Sequence, residues 1–158
     1  MELLRRIRQE KHSRRGVAVM EAALVLPIVL IFLLGILEYG RYVMTLQVLT
    51  NAAREGARYA LAHTEPVTLQ GVTYGNANSD VQTIVNNACA GQKLTGQTVQ
   101  VYESDALGNN LGVWTNAAAG EPICVRISGT YNFFIPGLLR LPNSCAVTSQ
   151  AVIRSEGN

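Results

Sequence analysis

The chain has 158 residues, 48% of them hydrophobic and 15% charged, with a net charge of +2. That length suits one small domain with an anchor and excludes two full domains. The charge is well below the roughly 25% of an ordinary soluble protein, and no basic patch follows residue 63, which argues against a nucleic-acid partner.

The charge is divided unevenly. Residues 1–16 carry six basic side chains against two acidic ones, a net +4, and the remainder is net −2. After this leader, Val17 to Leu37 are 21 residues whose only charge is Glu21. A membrane-spanning helix needs about 20 such residues. A basic flank beside the span stays in the cytoplasm, so the C-terminal part is expected outside the inner membrane. The apolar run exceeds the ~7–15 residues of an ordinary secretory signal and no A-x-A site follows it, so it reads as an anchor. A carboxylate in hydrocarbon costs ~2.5–3.5 kcal/mol. Glu21 therefore needs something that offsets that cost.

The helical pattern continues past Leu37. Apolar or small residues recur at Tyr39, Val43, Leu46, Leu49, Ala53, Ala57 and Ala60, with polar residues on the other faces. The sequence thus predicts one helix over residues 17–62, with 17–37 in the membrane and a bend at Pro27, where proline removes a ladder hydrogen bond. Glu38 and Arg41, and Glu55 and Arg58, are spaced to meet on its surface. Ala52, Ala53, Gly56, Ala57 and Ala60 form a small-residue stripe that lets another backbone approach closely. That stripe fits a helix covering its own sheet or a helix packed among copies of itself. Both readings stand on the sequence alone.

From Thr64 the texture changes to Gly, Asn, Thr and Val, and a β-rich outer domain is expected over residues 64–158. Residues 66–75 alternate weakly. Residues 79–91 read as a short helix capped by Ser79 or Asp80, with Val81, Ile84, Val85 and Ala88 on one face. Strands are expected at 97–103, 123–131 and 145–155, a turn-rich connection at 104–112, and an apolar loop with two prolines at 133–143. The fold class is α+β: a long N-terminal transmembrane and amphipathic helix, then a small antiparallel sheet with one short helix.

Catalytic and metal chemistry find little support. His12 lies in the leader, and His63 stands alone at the end of the long helix. Cys89, Cys124 and Cys145 are 35 and 21 residues apart, with no zinc-like cluster. No cofactor or metal is expected. Glu103 and Asp105 fall in the turn-rich segment as solvated acids.

Antiparallel pairing of the three strands puts residue 102 near residue 124, residue 97 near residue 129, Cys145 near Thr130 and Cys124 near Ala151. Cys124 and Cys145 then stand at opposite ends of the sheet, roughly 20 Å apart at ~3.3 Å per residue, beyond the ~7 Å a disulfide tolerates. Cys89 enters from the end where Cys145 lies. In an oxidising compartment a Cys89–Cys145 bridge is expected, with Cys124 left over. The alternative is three buried thiols.

The leader ending in Gly16, the run VAVME with Glu21 at its fifth position and the apolar helix with proline resemble the class III signal of type IV prepilins. The segments MEAALVLP, LEYGR and LTNAAREGARYA, within residues 14–62, are similar to the TadE-like family, the minor pilins or pseudopilins of the tight-adherence (Flp, type IVb) pilus system. One departure is Ala22, where related Flp-type prepilins carry an aromatic. The resemblance implies cleavage between Gly16 and Val17 by a prepilin peptidase, and partnership with other pilins or pseudopilins, a cytoplasmic ATPase and an inner-membrane assembly platform. Three readings of Glu21 compete: a protonated, inert acid near the interface; a group lining a proton or substrate path, for which a single helix offers no partner groups; and a carboxylate whose charge is offset by the α-ammonium that cleavage would create on Val17 of a neighbouring subunit. The competing readings are an uncleaved single-pass anchor with an outer binding domain, and a small anchored enzyme.

Overall fold

A computed structural model describes residues 2–64, 67–69, 72–74, 77–89, 91–92, 94–118, 120–139 and 142–154. Its first element is a single helix, α1, from Glu2 to Ala62. The sequence pattern placed its start near Val17, but the helix begins in the leader. Nothing between residues 2 and 16 is a helix breaker except Gly16, and the run ELLRRIRQEK is rich in good helix formers. At 61 residues and 1.5 Å per residue, α1 is ~90 Å long. It runs on through Pro27.

The helix has two halves of opposite environment. Residues 16–33 are all exposed, including Val19, Met20, Leu24, Leu26 and Phe32. From Glu38 onward α1 is the backbone of a folded domain: Leu49, Ala52, Ala53, Ala57 and Ala60 are completely buried. Tyr39, counted on the apolar face by spacing, points outward at 69% exposure.

Two short strands, β1 (Val67–Leu69) and β2 (Val72–Tyr74), form a separate antiparallel hairpin. Helix α2 (Asn78–Ala88) follows. Its N-cap is Ala77 and carries no side-chain capping bond, in place of the expected Ser79 or Asp80. Asn78, a residue able to cap, is engaged elsewhere: its Oδ1 accepts the Trp114 indole N–H at 2.6 Å. Val81 and Val85 are the buried residues of α2.

The main sheet has four antiparallel strands: β3 (Thr95–Ser104), β4 (Asn110–Gly112), β5 (Pro122–Asn132) and β6 (Ser144–Arg154), in the order β4-β3-β5-β6. The turn-rich segment thus contains a short strand, β4, and is followed by a 3-10 turn at Trp114–Asn116. Tyr102 lies opposite Cys124, as expected. The β5–β6 register differs by one residue, with Cys145 opposite Tyr131 and Cys124 opposite Val152. One residue of slip exchanges the faces of a strand, so Cys145 joins Tyr131 on the inner face.

That inner face carries Ile123, Val125, Ile127 and Tyr131 of β5 with Val147 and Ala151 of β6, packed against α1 and α2. Gly56 sits where α1 and α2 cross, and a Cβ there would collide with the Val85 side chain and touch Val125. The small-residue stripe of α1 is therefore spent on the chain's own domain. Helix α3 (Pro136–Leu139) lies in the β5–β6 connection.

Candidate functional site: the apolar arm and its collar

The feature that sets this molecule apart from a soluble α+β domain is the bare first half of α1. Among the described residues it is the one helix long and apolar enough to cross a membrane, with a mean hydropathy of 2.8 in its best 18-residue window and none of that window covered by the domain. An apolar surface of this size in water is a strong liability. Hydrocarbon or a bundle of like helices removes it. By length, composition and exposure this arm suits a membrane anchor.

Glu21 is exposed on that arm. The four residues before it (17–20) and the four after it (22–25) are all apolar, so its carboxylate has no polar side chain within a turn on its own helix. Among the described residues the one ion pair is elsewhere, between Glu38 and Arg41 at 3.8 Å. The other pair offered by spacing, Glu55 and Arg58, does not close. The Gly16–Val17 bond is exposed but lies inside the continuous helix.

Where the arm meets the domain, the structure builds a collar that pattern reading saw only as a surface pair. Glu38 is 3% exposed. Its Oε1 accepts the Tyr131 hydroxyl at 3.0 Å and the Phe134 backbone N–H at 3.2 Å. Arg41 lies over the Tyr131 and Phe134 rings at 5.6 and 5.7 Å and donates to the Asn132 carbonyl at 3.4 Å. Tyr42 and Phe133 pack edge-on against Tyr131 at 5.4 and 5.3 Å. Burial, and then the hydrogen bond to Glu38, hold the Tyr131 hydroxyl above the usual tyrosine pKa. The signal that could have revealed this collar is Glu38 itself. It is the first charge after the span and falls on the side of the helix that carries Thr45 and Leu49 inward.

The remaining sites named from sequence separate. His63 stacks on Tyr59 at 4.1 Å, and its Nδ1 is 2.9 Å from the Tyr59 carbonyl, which makes it a helix-end residue. Asp105 organises the turn before β4. Its Oδ1 accepts the Leu107 and Asn109 N–H groups at 2.8 and 2.9 Å, and its Oδ2 accepts the Asn109 amide at 2.7 Å. Those bonds, the Asn109 side chain foremost, lower its pKa.

Cys124 lies on the outer face, where its thiol donates to the Tyr102 hydroxyl at 3.4 Å. Burial, then the neighbouring Cys124 side chain, push the tyrosine pKa up to about 12. Cys89 caps the C-terminal end of α2 and is buried, with the Gln97 amide 3.8 Å from its sulfur. Cys145 is half-buried against the core. A shallow cleft of about 380 Å³ between α1 and β6 is lined by Arg54, Arg58 and Gln150–Ile153 and holds neither nucleophile nor base. No group of three or more His, Cys, Asp or Glu side chains among the described residues is placed to hold a metal.

Residues 16–58 match the family model described as TadE-like protein. The match runs from the glycine before the arm to Arg58, through the arm, the collar residues of α1 and most of the small-residue stripe, and it bears out the resemblance drawn from the same segments. The outer domain after Arg58 lies beyond it. No curated protein and no solved structure matches the chain.

Proposed function

We propose that this protein is a non-enzymatic minor pilin or pseudopilin of a tight-adherence (Flp, type IVb) pilus machine. In this reading a prepilin peptidase cleaves it between Gly16 and Val17, and it assembles with other pilins on an inner-membrane platform driven by a cytoplasmic ATPase. The observation that carries the reading is the TadE-like arm itself: an uncovered apolar half-helix with one carboxylate, Glu21, five residues into the sequence that begins at Val17. The basic leader keeps that end in the cytoplasm and the domain outside.

The geometry adds a requirement. Residues on both sides of Gly16 are helical, so the scissile bond becomes extended only if the helix opens there. Glycine weakens a helix by ~1 kcal/mol relative to alanine, which makes Gly16 the natural point of opening. The alternative is an uncleaved anchor with an outer binding domain. It has the continuity of α1 from Glu2 in its favour.

Intact mass of the membrane-extracted protein, co-expressed with its prepilin peptidase, separates the two. Loss of the 16 leader residues is expected. A full-length N terminus refutes the pilin reading and leaves the anchor. In the Gly16→Leu variant the leader should remain attached, and its continued loss would show that the cleavage site is misassigned.

A further inference from the structure

The β5–β6 connection carries an aromatic side chain that the fold leaves largely in solvent. Phe134 is 74% exposed, although the preceding Phe133 packs into the core. Its backbone is nonetheless fixed, because its N–H is bonded to the Glu38 carboxylate. Glu38 directly follows the apolar span. On a helix that rises 1.5 Å per residue, Arg41, whose guanidinium covers the Phe134 ring, stands only ~6 Å beyond Leu37. Side chains on a helix lean toward its N-terminus, so Glu38 and Arg41 both reach back toward the span. Tyr39, 69% exposed, and Leu37, 58% exposed, are at the same level.

We propose that Phe134 is a second membrane contact, which enters the interfacial layer of the bilayer beside the point where α1 emerges. The occupant of this apolar patch is lipid, because the patch is continuous with the exposed arm and the Glu38 bond fixes it at the height where the arm leaves hydrocarbon. Aromatic rings with a nearby cation suit that layer, as the Trp and Tyr belts of membrane proteins do. The contact adds to the anchor a fixed height and tilt for the outer domain. The inference rests on the membrane-spanning reading of the arm.

The test uses the full chain, one copy per lipid nanodisc, so that no second copy competes for the patch. Trp114 is the single tryptophan and is buried in the domain at 1% exposure, so its emission serves as an internal reference. Two variants report depth. Phe134→Trp, placed ~5–10 Å into the headgroup and acyl boundary, is expected to lose about half of its added emission to lipids brominated near the glycerol end of the acyl chain. Leu30→Trp is expected to be quenched by lipids brominated near the chain terminus. If Leu30→Trp is quenched and Phe134→Trp matches the parent protein, the interfacial contact is refuted while the span stands. If neither variant is quenched, the span is refuted and the contact with it.

Discussion

The Glu38 carboxylate accepts the Tyr131 hydroxyl at 3.0 Å across 93 residues of chain, and this bond ties the far end of the central strand to the first turn of α1 outside the span. The same oxygen takes the Phe134 N–H. Leaving a buried donor unsatisfied costs about 1–3 kcal/mol, and Glu38→Ala orphans two of them. We expect Glu38→Ala to lower the unfolding free energy by about 2 kcal/mol. Glu38→Gln keeps an oxygen acceptor and should lose less. The ion pair to Arg41 adds little, because Arg41 is 43% exposed in that pair. Urea unfolding followed by Trp114 fluorescence measures the losses. A double-mutant cycle with Tyr131→Phe should show coupling of roughly 0.5–3 kcal/mol, and strict additivity would mean that the bond contributes nothing.

The α1–α2 crossing gives a sharper steric expectation. A methyl group on Gly56 meets the Val85 side chain, and neither helix has room to retreat without disturbing Val125 behind it. Alanine is the better helix former by roughly 1 kcal/mol, yet overpacking costs ~1–3 kcal/mol. Gly56→Ala should therefore destabilise the domain, and Gly56→Ala combined with Val85→Ala should recover part of the loss. A stabilised single variant, read by the same urea titration, would show that the crossing is looser than described.

Alkaline pH should weaken the domain through two tyrosines. Burial and hydrogen bonding raise the Tyr102 pKa to about 12 and raise that of Tyr131. A raised value means that the folded protein holds the proton more tightly than the unfolded chain. The associated stability is complete below the unfolded tyrosine value of about 10 and is lost as pH rises toward the folded values. The urea midpoint should fall between about pH 10 and about pH 12. Tyr102→Phe should flatten that decline. An equally steep decline in Tyr102→Phe and Tyr131→Phe would assign it to other groups.

Much of this architecture was legible because local and global signals agreed. The unbroken apolar run and the one-sided pattern of Leu49, Ala53, Ala57 and Ala60 fixed the helix. Period-two alternation fixed β5 and β6, and opposing Tyr102 to Cys124 followed from hairpin counting. What was not legible depended on partners distant in sequence. Glu38 reads as a surface charge until Tyr131 arrives. Asn78 leaves the cap of α2 because Trp114 claims its side chain. The β5–β6 register could not be counted to the residue, because the connection between the strands is long and includes helix α3 rather than a tight turn. The small-residue stripe was ambiguous by nature, since the same five residues serve either a sheet or a neighbouring helix; here they serve α2 and the chain's own sheet.

Glu21 is expected to act in assembly and not in folding. It touches nothing in the outer domain, so Glu21→Gln and Glu21→Val should leave urea unfolding unchanged and membrane insertion equal or improved, since the charged form costs ~2.5–3.5 kcal/mol in hydrocarbon. Recovery of the protein with the pilus machinery should drop. Wild-type recovery of both variants would refute pairing between Glu21 and a neighbour's α-ammonium.

The cysteines offer a test of the sheet as well as of export. Cys145 is on the inner face opposite Tyr131, and Cys124 is on the outer face opposite Val152. Seven residues of β5 separate the two levels, ~23 Å at 3.3 Å per residue, and the faces differ, so no disulfide can join them within its ~7 Å limit. Cys89 packs in the core with Leu94 and Tyr131 and against Gln97 of β3, at the end of the sheet where Thr95 stands opposite Thr130; Cys145 is at the same end on β6, with β5 between. Cys124 and Cys145 are thiols in this structure, so the Cys89–Cys145 bridge is a proposal for the protein after export to an oxidising compartment. Closing it requires the start of β6 and the end of α2 to approach beneath β5, a local shift at the edge of the core. Non-reducing peptide mapping of the exported protein should recover a Cys89–Cys145 linkage, with Cys124 alkylated only after unfolding. A peptide that joins Cys124 to either of the others would overturn both the bridge and the β5–β6 register.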